Sequence, residues 1–193
     1  MSRLFVGLEL PASAKETLLR VEAGIPGAHW QTENQLHLTL RFIGDVDGPT
    51  LGDVASALDL IEAPALELAI RGVGIFGNLK RTRALWAGVA DNPALFHLQD
   101  KVESALVRMG LKPEPRKFHP HVTLARFGNP ERHRLQDFLQ VHDALAVPPF
   151  PVEHFTLFSS MVTQKGSIYT VEETYPLDES GQAFTAERPG PTE

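Results

Sequence analysis

The 193-residue chain contains no cysteine. That excludes disulfides, zinc–thiolate sites and iron–sulfur clusters, and it leaves the redox compartment open. No stretch approaches the ~20 apolar residues of a membrane-spanning helix. The opening run Arg3-Leu4-Phe5-Val6-Gly7-Leu8-Glu9-Leu10 is too short and too interrupted for the apolar core of a secretory signal. A cytoplasmic monomer without a membrane partner is the resulting expectation. Positive charge is also in short supply. A net charge of −6 speaks against broad, tight binding along nucleic-acid backbones. It leaves room for local capture of a single phosphate, and local basic groups exist: Lys80, Arg81 and Arg83 in one loop, Arg116 and Lys117 in another, and Arg41 and Arg126.

The chain does have enough apolar residues for a core, at 42% hydrophobic against 22% charged. Residues 1–177 read as one bilobal domain. From Asp178 to Glu193 the residues are polar and punctuated by proline and glycine, as in a loose tail.

Two segments 84 positions apart say nearly the same thing: His37-Leu38-Thr39-Leu40 and His121-Val122-Thr123-Leu124. A β-strand has a side-chain period of two, so each histidine shares a face with its threonine while the apolar residues pack behind. Two imidazoles of opposite protonation state supply a proton at one end of a reaction and remove one at the other. That is the chemistry needed to break a phosphodiester. His119 and His121 form a His-x-His pair, a spacing that suits a metal, but neither motif brings a local carboxylate or thiolate to complete a ligand set. No metal and no cofactor are therefore expected, with His119 in a supporting role.

Patterning predicts strands over 3–9, 34–43, 65–76, 84–90, 119–127, 152–162 and 167–176. Gly44-Asp45 is expected to close the second of them. Helices are expected from Pro11 to about Ala23, with Ser13 and Glu16 as a capping box, and over 50–61, 93–109 and 131–141. Elements alternate in the same order twice, and each half owns one His-x-Thr strand. The expected architecture is α+β: a pseudo-symmetric, duplicated, bilobal fold of two antiparallel sheets with outer helices around a central cleft.

His37 to Val46 reads His-Leu-Thr-Leu-Arg-Phe-Ile-Gly-Asp-Val, and Lys117 to Phe127 reads Lys-Phe-His-Pro-His-Val-Thr-Leu-Ala-Arg-Phe. Both resemble the paired signatures of the 2H phosphoesterase superfamily, and within it the branch of RNA 2′,3′-cyclic phosphodiesterases, historically called 2′-5′ RNA ligases. The N-terminal Arg-Leu-Phe-Val-Gly-Leu-Glu-Leu-Pro and the run from Leu157 through Tyr169 are similar to that branch too. The resemblance implies metal-independent opening of a 2′,3′-cyclic phosphate at an RNA or oligonucleotide end, tRNA fragments being one source, to give a 2′-phosphate. It implies His37 as proton donor to the departing 3′-oxygen and His121 as acceptor of a proton from water. Thr39 and Thr123, with Arg126, would hydrogen-bond the non-bridging oxygens.

Counting by twos puts Arg41 on the face of His37 but Arg126 on the face opposite Thr123. Arg41 is thus a candidate phosphate ligand, and Arg126 reaches the cleft only through a bulge or a turn of the strand end. Phe42 and Phe118 are candidates for stacking a base. Three readings compete: cyclic phosphodiesterase; the same site used for 2′-5′ joining or for a small cyclic phosphate of ADP-ribose type; and a nucleotide-binding module without turnover. Two intact proton-transfer groups count against the last.

Overall fold

The computed structural model describes residues 1–178 apart from 23, 80, 129–130 and 164–165. In chain order the elements are β1 (Ser2–Glu9), α1 (Ala12–Leu19), β2 (Ala28–Trp30), β3 (His37–Val46), α2 (Gly48–Asp59), β4 (Leu66–Phe76), β5 (Ala84–Val89), α3 (Pro93–Arg108), β6 (His121–Phe127), α4 (Arg132–Val141), β7 (Ala146–Val152), β8 (His154–Thr163) and β9 (Gly166–Pro176). No helix among the described residues is long and apolar enough to cross a membrane.

All the strand ladders are antiparallel, in the order β7-β4-β5-β6-β3-β1-β8-β9, with β2 added alongside β6. The two expected sheets, β7-β4-β5-β6 and β3-β1-β8-β9, are fused at their inner strands. The recorded pair between β3 and β6 is Leu38 opposite Val122. Both residues are fully buried and belong to the core between sheet and helices, together with Leu40, Leu124, Leu95, Leu98 and Val102. Truncating Leu38 to alanine at such a site costs about 2–5 kcal/mol. The seam between the halves is therefore held by apolar packing more than by ladder hydrogen bonds.

Several local expectations change. Helix α1 is capped at Pro11 without a side-chain bond, and Ser13 lies inside it, where its carbonyl accepts from Thr17 Oγ1 at 3.0 Å. The helix ends at Leu19, and Ala23 lies outside the described residues. A capping box occurs instead at Thr32–Gln35, a short 3₁₀ turn leading into β3. Gly44 does not close β3. It sits at φ +95° within the strand, beside a register shift against β1, and pairing continues to Val46. Two strands escaped the pattern: β2, only three residues long, and β7, which carries Pro148, Pro149 and Pro151. Strand β7 lies at the edge of the sheet, where missing N–H donors are tolerated. Pairing also reaches one residue beyond Leu177, as an isolated parallel bridge of Asp178 with Pro64. Asp178 N donates to Ala63 O at 2.9 Å, and its own carbonyl accepts from Ala65 N at 2.9 Å. Residues 179–193, where the loose tail was expected, lie outside the described residues.

Candidate active site

The seam pair Leu38–Val122 fixes what lies on the other face of the sheet. Extending that antiparallel register by one residue each way sets Thr39 opposite His121 and His37 opposite Thr123. The two histidines are then diagonal neighbours, about 7–8 Å apart at their Cα atoms. A pseudo-twofold axis through the seam relates the two pairs. Gly7 of β1 makes room for this packing. A Cβ there would come within 2.8 Å of Leu38 O, the backbone beside His37.

Each imidazole is anchored in the same way. His37 Nδ1 lies 2.8 Å from Gln35 O, and His121 Nδ1 lies 2.7 Å from His119 O. A carbonyl only accepts, so both Nδ1 atoms carry hydrogen and Nε2 is the basic nitrogen of each neutral ring. His37 Nε2 is 3.0 Å from Thr39 Oγ1. Each ring also meets an aromatic edge: Tyr169 against His37 at 5.0 Å and Phe76 against His121 at 4.7 Å, measured between ring centroids. Phe5 completes the wall at His37, at 4.8 Å.

This apolar enclosure has an electrostatic consequence. Burial lowers the pKa of His37 to about 4, against the opposing pull of the Gln35 carbonyl; the nearby His121 and Arg126 charges lower it further. Burial likewise lowers His121, with His119 and Arg126 adding to the effect and the His119 carbonyl opposing it. Arg126 therefore acts electrostatically on both imidazoles.

The placement of Arg126 comes from a bulge. In β6, Trp86 pairs with Thr123 but Leu85 pairs with Ala125, so Leu124 is an extra residue. Alternation resets: Leu124 and Ala125 both turn inward, and Arg126 turns out to the cleft face. The same bulge occurs in β3, where Gly7 pairs with Thr39 and Val6 with Arg41, leaving Leu40 extra. There it changes the expected outward placement of Arg41, which still lines the cleft cavity. The residue turns inward, 7% exposed, and its guanidinium is engaged by Glu103, Glu114 and two backbone carbonyls. Phe42 takes the outward position instead, half exposed.

Thr39, Thr123, His121, Arg126, Phe42 and Phe118 line one cavity of about 750 Å³. Phe118 is held edge-on by Phe96 at 5.5 Å, whereas Phe42 is freer on the wall. Arg81, Arg83, Arg116 and Lys117 border the same cavity, and Lys80 lies outside the described residues. His119 stands beside Trp86 at 4.9 Å and contributes its carbonyl to His121. Among the described residues no three His, Cys, Asp or Glu side chains gather closely enough to hold a metal ion. Sequence reading did not single out Gln35, whose carbonyl orients His37 while its side-chain amide donates to Ser167 O at 2.7 Å. Its one signal was its position two residues before His37, the offset of His119 from His121.

Comparison with known proteins bears on this geometry. The family described as LigT like phosphoesterase matches two successive stretches, residues 8–86 and 88–169. The chain is 36% identical over 148 residues to the RNA 2′,3′-cyclic phosphodiesterase of Aeropyrum pernix, which covers 76% of this chain and 84% of that protein. It is 30% identical over 182 residues to the RNA 2′,3′-cyclic phosphodiesterase of Aquifex aeolicus, covering 91% and 97%. Among solved structures, E. coli LigT complexed with 3′-AMP superposes with a TM-score of 0.71 at 26% identity, covering 91% of this chain and 98% of that one.

Proposed function

The chain belongs to the LigT-like phosphoesterase family, and on that premise we propose that it hydrolyses 2′,3′-cyclic phosphates at RNA or oligonucleotide ends to 2′-phosphates. The observation that carries the reading is the pair of imidazoles, each fixed through Nδ1, on adjacent strands, with Arg126 acting on both. The relatives named as RNA 2′,3′-cyclic phosphodiesterases support the substrate class. The 3′-AMP complex of E. coli LigT supports a cleft that accepts a nucleotide with phosphate on a ring hydroxyl.

In this reading the cyclic phosphate lies between the two Nε2 atoms. His121 takes a proton from water as its oxygen bonds to phosphorus. The P–O3′ bond breaks, and His37 gives its proton to O3′, leaving a 3′-hydroxyl and a 2′-phosphate. Thr39, Thr123 and Arg126 direct donors at the non-bridging oxygens, where charge builds in the transition state. A donor must start charged, and a pKa of about 4 leaves His37 neutral near pH 7 before substrate binds. The monoanionic substrate offsets this, since a negative charge beside an imidazole favours its protonated form. Proton uptake accompanies binding. Phe42 and Phe118 offer the base an apolar wall, and the arginines and lysine bordering the cavity receive phosphates further along the strand.

The test is phosphorus NMR of a nucleoside 2′,3′-cyclic phosphate turned over in buffer containing EDTA. The expected product is the 2′-phosphate. A 3′-phosphate would mean that acid and base stand the other way about on the ring, and no turnover would overturn the assignment.

A further inference from the structure

Arg41 lies one residue beyond the bulge in β3, buried at the margin of the cavity that it lines together with Glu114, and its guanidinium makes four contacts. Its Nε donates to Glu103 Oε2 on α3, and its Nη1 donates to Phe42 O on its own strand. Its Nη2 donates to Lys112 O at 2.6 Å, and Nη1 stands 3.7 Å from Glu114 Oε2. Glu103 uses its other oxygen to accept from Glu114 N at 2.8 Å. Two of Arg41's partners, Lys112 O and Glu114 Oε2, and the Glu114 N held by Glu103 belong to the connection from α3 to β6. That connection has no regular secondary structure between 111 and 120. It delivers Arg116, Lys117, Phe118 and His119 to the cavity, and the His119 carbonyl holds His121.

The other half anchors the matching connection differently. The chain leading into β3 is tied to the opposite motif strand by β2, where Ala28 pairs with Phe127 and Trp30 with Ala125. Gln31 N adds a bond to Leu124 O at 2.8 Å. Ala125 holds in β6 the position that Arg41 holds in β3. Each connection is thus fastened across the seam to the other half's histidine strand, one by a backbone ladder and one by a buried guanidinium.

We propose that Arg41 is a positioning residue, the side-chain counterpart of the β2–β6 ladder, which holds the 112–119 connection so that its basic and aromatic side chains and the His119 carbonyl meet the substrate site. This rests on the cyclic phosphodiesterase reading only for its kinetic readout. An arginine is required because its planar fork serves several acceptors at once, which a lysine ammonium on a flexible stem does not reproduce.

The test uses the full chain with Arg41→Met, Arg41→Lys and Glu114→Ala. A displaced binding loop should raise KM about tenfold in Arg41→Met, more than kcat falls, because misplacement of substrate-holding groups by an ångström is felt in rate and affinity. Arg41→Lys should not restore KM. Amide hydrogen exchange over 112–118 should quicken in Arg41→Met and, more mildly, in Glu114→Ala, while α3 and β3 keep their protection. Glu114→Ala carries the test if Arg41→Met does not fold. Unchanged exchange over 112–118 in every folded variant overturns the proposal, as does a wild-type KM in Arg41→Lys. If the wild-type chain turns over no cyclic phosphate, the proposed activity fails, and the exchange measurement still decides whether Arg41 holds the connection.

Discussion

The two histidine strands run alike through four positions and differ at the fifth. In β3 and β6 alike, histidine and threonine face the cleft, the leucine after the threonine is the bulge, and the strand then turns its alternation over. Past the bulge, β3 sends an arginine inward and a phenylalanine outward, whereas β6 sends an alanine inward and an arginine outward. The backbone is duplicated and the chemistry is not. One half lays an aromatic wall, with Phe5, Phe42, Phe158 and Tyr169 in a chain of ring contacts around His37. The other keeps aromatic contacts of its own, with Phe76 at His121, Trp86 at His119 and Phe118 on the wall. It adds the cations Arg81, Arg83, Arg116, Lys117 and Arg126 at the cavity. A substrate with a base at one end and phosphates at the other suits that division.

The largest expected effect concerns what the halves share. His37→Ala and His121→Ala should each lower the rate by about 10²–10⁴-fold with the fold intact, because each removes one proton-transfer group. Circular dichroism alongside steady-state rates on a cyclic phosphate checks this. Near-full activity in either variant would break the symmetric picture.

The next effect concerns the divergence at the bulge. Arg126→Ala should lower kcat by about a hundredfold, as loss of a donor to the phosphoryl oxygens does. Phe42→Ala should raise KM a few-fold and leave kcat nearly alone, since an aromatic wall binds ground and transition states alike. Equal effects of the two variants on kcat and KM would remove the distinction between a phosphate side and a base side.

Much of the site was legible because the repeated His-x-Thr pattern is local: strand periodicity alone puts those four side chains on one face. The positions after the motifs were not. Whether Arg41 or Phe42 faces the cleft depends on Leu40 being an extra residue against β1, and the partner's register is not written in the strand's own sequence. The same count that set the Arg41 side chain outward, rather than buried at the cavity margin, left Arg126 needing a bulge, and the bulge is there. Strand β2 was missed because three residues behind Gly24, Pro26 and Gly27 carry no periodicity, and β7 because its prolines argue against a strand unless its edge position is known. The seam itself, one recorded pair between β3 and β6, is a long-range contact that no window of sequence contains.

The central claim is that two similarly built imidazoles take opposite proton roles, and the pH dependence of kcat/KM on a nucleoside 2′,3′-cyclic phosphate tests it most directly. Activity needs His121 neutral, so it falls as pH drops, and His37 charged, so it falls as pH rises. Because burial lowers both from their ordinary value, the bell for kcat/KM, which reports the free protein, should peak on the acid side of about 6.5. The bell for kcat should lie at higher pH, since the bound anion favours both protonated rings. The residual activity of His37→Ala should lose the alkaline limb alone, and that of His121→Ala the acid limb alone. A wild-type rate that climbs to a plateau, or variants that lose the opposite limbs, would contradict the account.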